Sequence, residues 1–190
     1  MDGYFTNPLV FLLQTAFNLY ILAVLLRFLL QLVRADFYNP ISQFLVKVTQ
    51  PVLRPLRRVI PGFGGIDVAA LVLLFALQLA ALYVVWLVGS GVLLSPAVVI
   101  VLAVAELVEL LLNVYMVVLI VQAILSWVQS GYNPVASVLY SLSDPVLRPI
   151  RRMLPPIAGL DLSPLVAIIA IQVIKMLALP PLHQLARAVS

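Results

Sequence analysis

PVLRPLRR at residues 51–58 returns as PVLRPIRR at residues 145–152, and the reading of this pair of blocks decides the fold. Each block holds three arginines and two prolines, inside a chain of 190 residues that is 64% apolar and only 9% charged. Soluble domains carry about 25% charged residues, so the charge here is too sparse to cover a water-facing surface. A mean hydropathy of +1.18 points the same way. The arginine blocks therefore sit in a membrane protein, between stretches that avoid water.

Those stretches are four. They cover residues 9–26, continuing past Arg27; 68–88, with Gln78 as its strongly polar member; 96–128; and 162–179. A helical span needs roughly 20 mainly apolar residues, and only a helix or a closed barrel satisfies its backbone inside lipid. Four transmembrane helices follow. An all-helical bundle within a large soluble complex is the competing reading, but four such runs exceed what a soluble fold of this length contains. The third run is the difficult one: 33 residues of helix would measure about 50 Å, against a hydrocarbon core of ~30 Å. A crossing portion at 106–128 is favoured, with Pro96 opening a preceding helical or interfacial segment.

The repetition extends beyond the blocks. Asn39-Pro40 matches Asn133-Pro134, Ile60-Pro61 matches Leu154-Pro155, Gly65-Ile66-Asp67 matches Gly159-Leu160-Asp161 and Gln78 matches Gln172, all 94 positions apart. Upstream the offset is 95, so that Asn18-Leu19-Tyr20 aligns with Asn113-Val114-Tyr115. The expected architecture is an all-α membrane protein of four transmembrane helices, arranged as two parallel pseudo-repeats. The first repeat, 1–91, has spans at 8–33 and 66–88 and an interfacial segment at 39–60. The second, 92–190, has spans at 106–128 and 162–180 and an interfacial segment at 134–154. Each half crosses twice and so begins on the same side, unlike inverted repeats with an odd number of spans.

Both middle segments are amphipathic. Ile41, Phe44, Leu45, Val48, Val52 and Leu56 recur at steps of three and four, opposite Gln43, Lys47, Gln50, Arg54, Arg57 and Arg58. This pattern fits a helix lying at the headgroup level. Pro51, Pro55, Pro145 and Pro149 each remove a backbone donor, so a break before the arginines is expected in both copies. Asp67 and Asp161 are placed to cap the second span of each half.

Charge sets the orientation. Arg34, Lys47, Arg54, Arg57 and Arg58 lie between the first two spans and Arg148, Arg151 and Arg152 between the last two, while the 89–105 link carries no base. The positive-inside rule puts both arginine segments in the cytoplasm and both termini outside, against which His183 and Arg187 weigh slightly. The opening MDGYFTNP has an acid and no base, unlike a signal peptide, and the first run is expected to be retained as a span. Arg54, Arg57, Arg58, Arg148, Arg151 and Arg152 are the candidates for docking anionic lipid headgroups or a protein partner. Nucleic acid is set aside: despite a net charge of +4 and a pI near 9.7, there is no aromatic interleaving and no recognised motif.

Ionisable groups inside spans are candidates for function. Arg27 either snorkels to the interface, the favoured reading, or pairs inside the bundle. Glu106, Glu109 and Asn113 share one helix face. They are either an intramembrane polar site or, with a helix starting near Glu106, merely interfacial. Lys175 is placed by depth to neutralise one of the glutamates. Asn18, Asn113, Gln78 and Gln172 read as interhelical hydrogen-bond glue. With no Cys and one histidine, His183, the chain has little material for a metal centre or triad. No cofactor and no enzymatic activity are expected.

FYNPISQ at 37–43, YNPVASV at 132–138, the two arginine blocks and GGID at 64–67 resemble the YggT family of bacterial integral membrane proteins, also called YlmG-related. The resemblance covers nearly the whole chain. Ser126-Trp127 is the pair typical of the family, whereas the first repeat departs from it with Leu32-Val33. The resemblance implies a bacterial inner-membrane location and a role in envelope or osmotic-stress tolerance, or in septum and cell shape. Plastid relatives are linked to nucleoid distribution or cytochrome-complex assembly. It carries over no catalytic or binding residue. A non-enzymatic scaffold or assembly factor is the leading expectation, with membrane lipids and a membrane-protein partner or a second copy as its contacts. A channel or transporter subunit for ions or small osmolytes, using Arg27, Glu106, Glu109 and Asn113, is the alternative.

Overall fold

The computed structural model describes residues 3–91, 93–128, 133–154 and 161–189. Tyr132, Pro155, Gly159 and Leu160 of the repeated motifs lie outside this set, as do the side chains of Ser126 and Trp127. The described residues form six helices: α1 (Gly3–Leu32), α2 (Pro40–Val59), α3 (Val68–Ser90), α4 (Pro96–Val128), α5 (Pro134–Met153) and α6 (Ser163–Ala188). Four of them, α1, α3, α4 and α6, are long and apolar enough to cross a membrane. The chain is an all-α, multi-pass membrane protein.

Helix α1 packs on α3 and α4 on α6, while α3 lies beside α4 and α2 beside α5. The main core joins Ile21, Val24 and Leu25 of α1 to Leu73 and Leu74 of α3 and Val114 of α4. Leu45 and Leu53 of α2 and Leu142 of α5 close one end of that cluster. A smaller cluster of Leu119, Leu147, Ala167 and Ile171 ties α4, α5 and α6 together. Large apolar side chains stay outside, among them Phe11 and Leu12 on α1 and Met176 and Leu177 on α6. Outward apolar faces are what helices in lipid present.

Three features differ from expectation. First, α4 runs unbroken from Pro96, so Glu106 lies about 15 Å along it rather than at its start. The cause is packing: Val99 and Ala103 are fully buried against Leu82 of α3, which holds the early turns as helix. Second, α6 continues to Ala188 through Pro180 and Pro181 instead of ending at 180; both prolines are exposed, so their rings displace no packed neighbour. Third, α2 and α5 are not broken by their internal prolines. Pro51 and Pro55 fall on one exposed stripe, as do Pro145 and Pro149. The carbonyls that lose a partner to the missing N–H, such as that of exposed Lys47, lie on that stripe and not in the packed interior.

The two amphipathic helices share one start and one finish. Asn39 and Asn133 accept hydrogen bonds from the backbone N–H of Ile41 and Val135, with proline at the first helical position. That placement suits proline, whose missing N–H would be unpaired there anyway. After α2 the chain reverses in a two-residue turn, where Phe63 and Ile66 exchange backbone hydrogen bonds of 3.1 and 3.0 Å. Gly64 and Gly65 adopt φ of 61° and 84°, a left-handed pair that side chains with a Cβ rarely tolerate. The turn delivers Asp67 back against α2.

Candidate functional site

Asp67 is 5% exposed and serves two elements at once. Its Oδ1 accepts from the Ala70 N–H at 3.2 Å, capping α3, and its Oδ2 accepts from the Arg57 guanidinium. Arg57 also donates to Gln31 Oε1 of α1 at 3.0 Å, so one arginine fastens α1, α2 and the start of α3. In the other half Arg151 donates from Nε to Asp161 Oδ2 at 2.9 Å. Asp161 sits one residue before the cap position and accepts from the Ser163 N–H at 2.9 Å, so the expected cap is displaced by one. Burial works against the charge of Asp161, but the bonds from Ser163 and the Arg151 guanidinium outweigh it and hold the carboxyl below its ordinary value.

The six arginines of the repeated blocks are thus of three kinds. Arg57 and Arg151 are tied into the fold. Arg148 pairs with Asp144 one turn earlier on the exposed surface. Among the described residues, Arg54, Arg58 and Arg152 take part in none of the hydrogen bonds or ion pairs, and all three are exposed. The sequence alone could not make this division, because it depends on which carboxylate the Gly-Gly turn returns. Phe37, Tyr38 and Phe63, 59%, 82% and 83% exposed, stand on the loops around the same end of the bundle. Such aromatics are enriched where a membrane meets water.

Arg27 does not snorkel. It is 7% exposed and donates to Thr49 Oγ1 and Gln50 Oε1 of α2, both at 2.7 Å, and to the Val46 carbonyl at 3.3 Å. Helix α2 lies directly over it, and neutral oxygens take the place of interfacial water. A cavity of about 430 Å³ opens beside it, lined also by Gln31, Arg34, Ser42 and Arg57.

The other intramembrane candidates gather elsewhere. Gln78 Nε2 donates to Glu106, Lys175 Nζ donates to Asn113 Oδ1 at 2.6 Å, and the same Nζ lies 3.5 Å from Glu109. A cavity of about 390 Å³ is lined by these acids, Asn113, Gln78, Thr15 and Asn18. The structure thus brings Glu106, Glu109 and Asn113 together and leaves Arg27 apart, nine positions beyond Asn18 on α1, or about 14 Å along the helix. Fully buried Ile21 and Val24 stand between the two polar regions.

Four apolar spans and a layer of two arginine-bearing helices define a multi-pass helical membrane protein. The family model described as CCB3/YggT matches twice, over residues 6–88 and 101–182. An uncharacterized protein of Pseudomonas aeruginosa is 48% identical over 172 residues, covering 90% of this chain and 87% of its own. The Escherichia coli strain K12 protein YggT is 44% identical over 180 residues, covering 90% and 88%. A chloroplastic YlmG homolog of Arabidopsis thaliana is 38% identical over 60 residues, covering 32% and 24%. The chain belongs to the CCB3/YggT family. No solved structure matches it. Members of this family are not known enzymes, and among the described residues no three His, Asp or Glu side chains are grouped to hold a metal.

Proposed function

We propose that the protein is a non-enzymatic scaffold or assembly factor that supports envelope integrity and osmotic-stress tolerance. It works as two parallel repeats, 1–91 and 92–190, each a pair of spans bridged by an interfacial helix. One observation carries the reading: α2 and α5 lie side by side, sealed to the bundle by Leu45, Leu53, Leu142 and Leu147. Their outer side carries Arg54, Arg58, Arg148 and Arg152. Arg54, Arg58 and Arg152 have no internal partner among the described residues, and with Arg148, exposed beside Asp144, they are available to anionic headgroups or to an acidic surface of a membrane protein. Each is worth about 1 kcal/mol beside an anionic membrane. The positive-inside rule assigns this layer to the cytoplasmic face and both termini to the periplasm.

A conduit for ions or small osmolytes is the second reading, favoured by the cavity around Glu106, Glu109 and Asn113. Buried Ile21 and Val24, which interrupt any polar path toward Arg27, count against it. The test is complementation of a strain lacking the gene under osmotic stress. The triple variant R54Q/R58Q/R152Q is expected to lose function at unchanged membrane level, while Glu109→Gln retains it. The reverse pattern, with proteoliposome ion flux that falls in Glu109→Gln, would establish the conduit instead.

A further inference from the structure

We infer that the cleft between the end of α1 and α2 is a binding site for one phosphate group. Three arginines, Arg27, Arg34 and Arg57, line its cavity of about 430 Å³. Asp67 is already engaged by Arg57. Asp36, beside the cavity-lining Ala35 and Phe37, accepts from the Tyr38 N–H through Oδ1 and, among the described residues, is not within ion-pair distance of any of the three arginines. Arg27 is the decisive member. A guanidinium has five N–H donors, and the three bonds of Arg27 all go to neutral oxygens. It is a buried cation with spare donors and, among the described residues, no carboxylate in salt-bridge range. A buried charge without a direct ion-pair partner costs several kcal/mol, and an anion in the cleft lowers that cost.

Ser42 is the independent observation. Its Oγ is buried and has no hydrogen-bond partner, although the residue lines the same cavity. An unmatched buried hydroxyl costs about 1–3 kcal/mol, and a phosphate oxygen is an acceptor for it. Arg34 adds a third sign. It holds φ of 55°, a conformation costly for any residue with a Cβ, at a cavity edge where glycine would fit without strain. Arginines with their planar forks are the side chains suited to phosphate oxygens.

The second half supplies a contrast. At the register of Arg27 and Ser42 it has Gln122 and Ala136, whereas the ion-paired Arg57 is matched by Arg151. The arginine that braces the fold recurs, whereas Arg27 and Ser42 of the cleft do not. The site therefore belongs to the first half alone. The cavity exceeds one phosphate, and its apolar wall of Leu30 and Phe37 has room for the organic part of a phosphate ester. This inference goes beyond the docking surface, since it uses none of Arg54, Arg58, Arg148 or Arg152.

The experiment is titration of the full-length, delipidated protein in detergent with inorganic phosphate and, separately, with phosphatidylglycerol, followed by native mass spectrometry. One phosphate-bearing ligand per chain is expected. The variant R27Q/S42A, which writes the second half's residues into the first, should weaken it about tenfold or more. R34G should weaken it as well, and K47Q, on the exposed side of α2 away from the cavity lining, should leave it unchanged. Binding of inorganic phosphate alone identifies a free phosphate; binding of phosphatidylglycerol that millimolar phosphate fails to displace identifies a lipid headgroup. Thermal melts check folding, and should R27Q/S42A not fold, R34G at the exposed rim decides. No saturable binding of either probe, or an equal loss in K47Q, would overturn the assignment. Loss of complementation by R54Q/R58Q/R152Q with cleft binding intact would separate the two proposals.

Discussion

At the scale of single residues, Arg34 is where local stability and the proposed site pull apart. The end of α1 is closed by Arg34 N–H to the Gln31 carbonyl at 3.1 Å and Ala35 N–H to the Leu30 carbonyl at 2.9 Å. This is the Schellman arrangement, whose left-handed position usually holds glycine. Arg34→Gly is expected to raise the melting temperature, a gain of up to about 1 kcal/mol, while weakening phosphate binding. A variant that melts lower would show that the Arg34 side chain braces the fold. Asp161 gives the pH test. Its carboxyl is held below the ordinary value of 3.8, burial opposing the charge and the bonds from Ser163 and Arg151 prevailing. A lowered folded-state pKa adds stability above the unfolded value that is lost as pH falls through the folded one. Asp161→Asn should therefore melt below the parent at neutral pH, and the gap should close as pH drops below 3.8. A gap independent of pH would remove the ionic account. Asp161 was legible as an acid at a helix start, though not its bond to Arg151; periodicity marks Arg34 as a loop base, and only the folded turn reveals its strained backbone.

At the scale of elements, the four spans and both amphipathic helices were legible, because hydrophobic run length and the three-to-four spacing are properties of the sequence itself. What was not legible is how each helix treats its prolines and polar residues. A proline breaks a helix when its clash falls toward packed neighbours, and spacing alone does not say which side is packed. Arg27 shows the same limit, since snorkelling and burial differ only in whether α2 covers it. Asn39 is the sharper case. Both asparagines were visible as the repeated Asn-Pro pair, but among the described residues only Asn39, 2% exposed, makes a second bond, from Nδ2 to the Pro134 carbonyl at 2.8 Å, linking α2 to α5. Asn39→Ala is expected to cost about 1–2 kcal/mol, the cap and the link together. Asn133→Ala should cost the cap alone, about 1 kcal/mol. Thermal melts of the two variants side by side measure the difference, and equal losses would mean that the link contributes nothing.

At the scale of the whole molecule, the open question is which way it sits, and the chain is well suited to an answer. It contains no cysteine, so single cysteines report position without removal of native thiols. Val59, at the end of α2, is 81% exposed, and Leu93, in the link between α3 and α4, is 63% exposed. They mark opposite ends of α3, a helix of 23 residues or about 35 Å, enough to cross a core of ~30 Å. Five bases lie between α1 and α3 and three between α4 and α6, against none in the 89–105 link. Bases in short loops resist translocation and set orientation, whereas acids contribute little. A membrane-impermeant maleimide added to cells with a permeabilised outer membrane should therefore label Leu93→Cys and spare Val59→Cys until the inner membrane is opened. The contacts between α2 and α5 add a second demand, because helices that touch must share a side. Met153, 81% exposed at the end of α5, must then behave as Val59 does when replaced by cysteine. Labelling of Leu93→Cys only after lysis would invert the protein and move its arginine layer to the periplasm. Opposite behaviour of Val59→Cys and Met153→Cys would break the parallel arrangement of the two halves.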